Sequence, residues 1–129
     1  MRLARTCDDH IAGRLGVALA DRLTGDGHIA FLPDGGEVTA SGFDFFSGFG
    51  VSLADCRPQR RIFCRPCLDW SERRPHIAGR VGALLCQQLL SLGWIKRRAN
   101  TRALEITRLG RDGLAQRFGI ELLSPAPVP

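Results

Sequence analysis

The sequence predicts an α+β, mostly helical chain built from two tandem winged-helix-like repeats packed together, each a helix, a two-stranded wing and a second helix. Three observations predict it. The phrase "HIAGRLG" at residues 10–16 returns as "HIAGRVG" at 76–82, and aligning 10–29 with 76–95 gives ten identities in twenty positions. The correspondence continues, because "EVTASGFDFFSGFGVSL" (37–53) runs alongside "EITRLGRDGLAQRFGIEL" (105–122) with one residue inserted. Each copy also carries the same succession of apolar period, glycine, turn and threonine, so an internal duplication organises the chain.

The elements follow in order. Ile11, Leu15, Leu19 and Leu23 recur every fourth residue, as do Ile77, Val81, Leu85 and Leu89, which sets one apolar stripe on the first helix of each copy. Gly27 and Gly93 supply left-handed stops. A hairpin wing follows, with strands Ile29–Leu32 and Glu37–Thr39 around a Pro33-Asp34-Gly35-Gly36 turn in copy one. In copy two the strands are Trp94–Arg98 and Ala103–Thr107. Thr39 and Thr107 are natural N-caps for the closing helices, whose apolar positions are Phe43, Phe46 and Phe49, then Leu114 and Phe118. Gly13/Gly16 and Gly79/Gly82 weaken helix propensity, and their three-residue spacing favours close helix-against-helix approach between the copies. Residues 1–55 are thus the first repeat, 56–123 a linker helix segment with the second repeat, and 124–129 ("SPAPVP") a disordered tail.

Composition narrows the function. No apolar run approaches the eighteen or so residues of a membrane span, and "MRLARTCDDH" lacks the apolar stretch of a signal peptide, so a cytoplasmic location is expected. Five cysteines (7, 56, 64, 67, 86) are an odd number in such a chain, which favours thiol or metal chemistry over a disulfide framework. Charge is lopsided: net −4 over residues 1–55 and net +9 over 56–129. That asymmetry suits an acidic partner such as nucleic acid. There is no P-loop and no HExxH, "LPDGGE" is a turn, and Asp8/Asp9 sit where carboxylates favour a helix dipole. The chain is therefore expected not to be an enzyme.

Cys and His are the sharpest candidates for a site. Cys7-x-x-His10 opens copy one, while Cys64-x-x-Cys67 and His76 precede copy two, and the order Cys-x-Asp…His-Ile-Ala-Gly recurs. If the copies pack about a pseudo-twofold axis, Cys7, His10, Cys67 and His76 converge into a set that suits zinc or another thiophilic metal, with Cys64 as a substitute ligand. The competing reading makes Cys7, Cys67 and Cys86 small core residues and has both histidines cap or tie helices. Arg73 and Arg74 in "CLDWSERRPH" could clamp an anion, or pair with Asp69 and Glu72. On the second wing, "KRRANTR" gathers Lys96, Arg97, Arg98 and Arg102, which suit phosphate contact; the acidic first wing cannot do this.

The strings "RTCDDHIAGRLGVALADRL" and "CRPCLDWSERRPHIAGRVGALL" resemble the C-terminal region of a group of ArsR-type bacterial transcriptional regulators, over residues 4–122. The resemblance implies a DNA-reading winged helix-turn-helix preceding Arg5, a homodimer, and a regulatory role in effector sensing or dimerisation. It departs from the family phrase at Asp8, where an aromatic is usual. The expected function is that regulatory module, with weak DNA contact through the second wing. The alternative is a stand-alone metal- or redox-responsive interaction domain that does not bind DNA.

Overall fold

The computed structural model describes residues 4–7, 10–33, 35–53, 64–69 and 73–122. Each repeat is a β-hairpin, a helix, a wing and a second helix. In the first repeat these are β1 (Arg5–Cys7), β2 (His10–Ala12), α1 (Gly13–Gly25), β3 (Ile29–Leu32), β4 (Gly35–Val38) and α2 (Ala40–Gly48). In the second they are β5 (Arg65–Asp69), β6 (Arg74–Ala78), α3 (Gly79–Ser91), β7 (Ile95–Arg97), β8 (Leu104–Ile106) and α4 (Arg108–Phe118). Among the described residues there are four sheets, each two-stranded and antiparallel.

The leading hairpins correct the sequence reading. His-Ile-Ala was expected to open each helix, yet it is strand in both copies, and the helices begin at Gly13 and Gly79. Both glycines have a φ of 79°, a left-handed value that a side chain would strain, so they turn an extended strand into a helix. Their role is this turn and not the helix contact expected of them. Of the expected linker helix, residues 64–69 are described and include strand β5; residues 54–63 lie outside the description. The Asp8/Asp9 pair, Asp34, Trp70, Ser71, Glu72 and the expected tail also lie outside it.

The remaining elements follow the expected chemistry. Thr39 Oγ1 accepts the Gly42 N–H at 3.1 Å and Thr107 Oγ1 accepts the Gly110 N–H at 3.0 Å, so both threonines cap as their type allows. Gly27 (φ 78°) and Gly93 (φ 74°) end the first helices in left-handed turns. The stripe Leu15, Leu19 and Leu23 on α1 is buried, as is Val81, Leu85 and Leu89 on α3. Phe46, Phe49, Leu114 and Phe118 carry the closing helices into the same core, where Phe49 meets Phe118 and Trp94 edge-on.

The two repeats interleave. Helix α1 packs against β6 of the second repeat, α3 against β2 of the first, and β2 meets β6. The hairpins also reach the opposite wings. Leu104 N–H donates to Ala4 O at 3.1 Å and Thr6 N–H to Arg102 O at 2.8 Å, so β1 lies along the second wing. Reciprocally, Cys64 packs against Gly36 of the first wing. Equivalent residues Ile11/Ile77, Gly16/Gly82 and Leu19/Leu85 line a single small gap between the copies. A single apolar cluster therefore draws on both repeats, and equivalent residues of the two meet near its middle.

Candidate metal centre

Strands β2 and β6 meet where the repeats join, and equivalent positions approach that contact from each side. Cys7 is the cross-strand partner of His10 in the first hairpin, and Cys67 of His76 in the second. Directly opposed residues on an antiparallel pair hold their side chains about 5 Å apart, so each hairpin presents one sulfur and one imidazole together. Interleaving brings the two presentations face to face. His10 and His76 are joined by a hydrogen bond between their Nε2 atoms, 2.9 Å long, with ring centroids 4.8 Å apart. One ligand atom from each of Cys7, His10, Cys67 and His76 lies within 4.8 Å of all the others.

Gly16 and Gly82 let each helix come close to the other repeat's strand rather than to its helix. A Cβ on Gly16 would run into the Ile11 carbonyl and lie 3.2 Å from His76 Cβ. A Cβ on Gly82 would run into the Ile77 carbonyl and lie 3.1 Å from His10 Cβ. Each glycine thus makes room for the other repeat's histidine. The phrase "HIAGRxG" therefore does both things at once: its histidine faces the junction of the repeats and its last glycine accommodates the partner histidine.

Burial grades the site. His10 and His76 are 3% and 1% exposed, while Cys7 and Cys67 are half-buried. Imidazole is costly to bury without polar partners, and the Nε2 contact supplies one for each ring. Neither histidine caps a helix, since α1 and α3 have no side-chain cap and Ala12 and Ala78 hold those positions; the pair instead ties one repeat to the other. His28 lies elsewhere, with Nδ1 3.1 Å from Ser41 Oγ and its ring stacked on Phe45.

Cys64 is not among the four. It stands three residues before Cys67, as Ala4 stands three before Cys7, and both positions are core. Burial there pushes its thiol from 9.0 up to about 12, which disfavours the thiolate a metal needs. Cys86 is core on α3, as its place on the apolar face predicts.

The arginine candidates separate. Arg74 Nη2 donates to Asp21 Oδ1 on α1 at 2.7 Å, an exposed ion pair between repeats. Glu72 and the Asp69 side chain, the partners that the sequence offers, lie outside the described residues; Asp21 lies 53 residues away and carries no local signal. Arg73 takes a left-handed turn (φ 58°) and is exposed. Lys96, Arg97, Arg98 and Arg102 are all exposed on the second wing, and Arg102 also anchors β1 through its carbonyl. Sequence reasoning missed that contact because it joins backbone atoms 96 residues apart.

Among the described residues no helix is long and apolar enough to cross a membrane. No protein-family model and no solved structure matches the chain. A curated protein of Bacillus subtilis (strain 168), described as the uncharacterized HTH-type transcriptional regulator YdfF, is 40% identical over 122 residues. The match takes in 95% of this chain and 54% of that protein. The chain thus spans about half the length of the relative it matches, and over nearly all of its own length it is similar to part of an HTH-type transcriptional regulator.

Proposed function

We propose that this chain is the regulatory module of an ArsR-type transcriptional regulator, sensing an effector at the junction of its two repeats and touching DNA weakly through its second wing. The observation that carries the reading is the 40% identity to an HTH-type regulator across 95% of the chain. Two features of the molecule agree with it. Two buried histidines and two half-buried cysteines form a compact cluster shared by both repeats. Four cations project from the second wing, whereas the first wing has only Glu37 as a described charge.

Fluorescence anisotropy with a duplex of arbitrary sequence tests the DNA contact. The chain should bind weakly and lose affinity steeply with salt, because phosphate contacts release counterions. Changing Lys96, Arg97, Arg98 and Arg102 together to Gln should lower the log–log salt slope by up to about 3–4. Equal binding by both proteins removes the wing from the account. A second reading, a metal- or redox-responsive interaction domain without DNA contact, is favoured by the Cys/His group being built without any wing residue. It gains if the chain binds no DNA at any salt.

A further inference from the structure

We propose that Cys7, His10, Cys67 and His76 bind one thiophilic divalent cation, zinc or cadmium, in a closed tetrahedral site to which each repeat contributes one thiolate and one imidazole. This rests on the regulatory reading only for its biological use.

The donor set fits the ion in type, number and position. Zinc in closed sites takes four sulfur and nitrogen ligands at about 2.3 and 2.0–2.1 Å, which makes the edges of its tetrahedron about 3.3–3.8 Å. The four ligand atoms already lie within 4.8 Å of one another. The histidine nitrogens, at 2.9 Å, need only part by a few tenths of an ångström. Movement of the half-buried cysteines can supply the rest, and a small rotation of each imidazole about its Cβ, which lies beside Gly16 or Gly82, parts the nitrogens.

The chemistry of loading balances simply. Each thiol gives its proton to solvent as sulfur binds. The Nε2–Nε2 hydrogen bond is exchanged for two nitrogen–metal bonds. The ring that had donated gives its Nε2 proton to solvent and takes one back at Nδ1. Each neutral imidazole then carries its proton on Nδ1, and the net release is the two thiol protons. Two thiolates select soft or borderline cations over magnesium and calcium, which prefer oxygen. With all four positions filled by protein the site has no place for a reacting water, so it holds or senses its ion and does not catalyse.

Loading would also reach the wing. Cys7 ends β1, and the preceding residue, Thr6, donates its N–H to Arg102 O. An ion on Cys7 therefore ties the strand that lies along the basic wing to the core of the molecule.

Cobalt(II) titration of the reduced full chain tests the site without any reference to DNA. The expected result is one equivalent taken up, with the strong visible bands of tetrahedral cobalt and a thiolate charge-transfer band, both abolished by zinc. Cys7→Ser and Cys67→Ser should each weaken uptake beyond the about 10- to 100-fold that loss of an outer-shell partner costs. Their losses should be alike, and Cys64→Ala should leave the spectrum in place. Should a serine variant fail to fold, the wild-type titration still decides. Octahedral cobalt bands, no uptake, a spectrum indifferent to Cys7→Ser, or a Cys7–Cys67 disulfide formed in air by protein that never takes up metal would overturn the proposal. DNA binding that survives such a failure leaves the regulatory reading standing; metal uptake without DNA binding removes the wing and keeps the site.

Discussion

Where the repeats meet, the first places His10, Ile11 and Gly16, and the second places His76, Ile77 and Gly82: the same three residues. On the wings the first repeat carries Asp34 and Glu37, and the second carries Lys96, Arg97, Arg98 and Arg102 with Glu105 as its one acid. The difference has a physical origin. A residue at the junction of the repeats packs against its own equivalent, so His10 needs Gly82 for the same reason that His76 needs Gly16. A wing side chain meets water, and changing its charge alters stability by little. Sameness therefore marks where the repeats hold each other, and difference marks where one repeat has acquired a surface of its own.

The largest expected effect comes from breaking the sameness. Gly16→Val and Gly82→Val each drive a branched side chain into a backbone carbonyl and a histidine Cβ, neither of which can move aside. Each should cost about 3 kcal/mol or more, at the upper end of overpacking in a filled core. Because hairpins and wings are exchanged between repeats, both repeats should be lost in a single transition. Chemical denaturation followed by far-ultraviolet circular dichroism measures this. Two separated transitions would show that the repeats fold independently.

A smaller effect separates the cysteines. The folded-state pKa of Cys64 is raised from 9.0 to about 12, so its thiol stays neutral where an unfolded thiol ionises. The sign follows directly: below pH 9 the thiol is protonated in both states, and stability is lost as pH rises from 9 towards 12. The slope for this group approaches about 1.4 kcal/mol per pH unit. Cys64→Ala, which places in copy two the residue that copy one has at Ala4, should flatten that alkaline limb. At pH 8 iodoacetamide should label Cys7 well before Cys64, and mass spectrometry of the digest reads the order. Equal labelling would place Cys64 outside the core.

The smallest effect should be symmetric. Thr39→Ala and Thr107→Ala each remove one cap to a glycine N–H and should cost about 1 kcal/mol. Thermal unfolding of the two variants compares them. A marked inequality would show that the closing helices are held differently despite equivalent caps.

How legible all this is in the sequence depends on the range of the interaction. Caps, helix stops and wings are legible because Thr39, Thr107, Gly27 and Gly93 act within a few residues of themselves. The leading hairpins are not, because Ile11 sits four residues before Leu15 and reads as one more helical turn. The left-handed φ at Gly13, which ends the strand there, leaves no periodic trace. The four-residue site is legible only because the chain states it twice. Neither Cys7-x-x-His10 nor Cys67…His76 is a metal motif alone, and their convergence follows from duplication plus packing. Arg74–Asp21 and Thr6–Arg102 are long-range pairings with no counterpart signal, so only the folded chain reveals them.

The central claim is that two equivalent hairpins meet to make a single site. X-ray absorption at the zinc edge, on this chain reduced and loaded with one equivalent of zinc, tests it most directly. The account predicts two sulfur neighbours at about 2.3 Å and two imidazole nitrogens at about 2.0–2.1 Å. In Cys7→Ser one sulfur should be lost while His76 remains bound. A zinc shell of oxygen and nitrogen alone, or a wild-type shell that Cys7→Ser does not change, would contradict it.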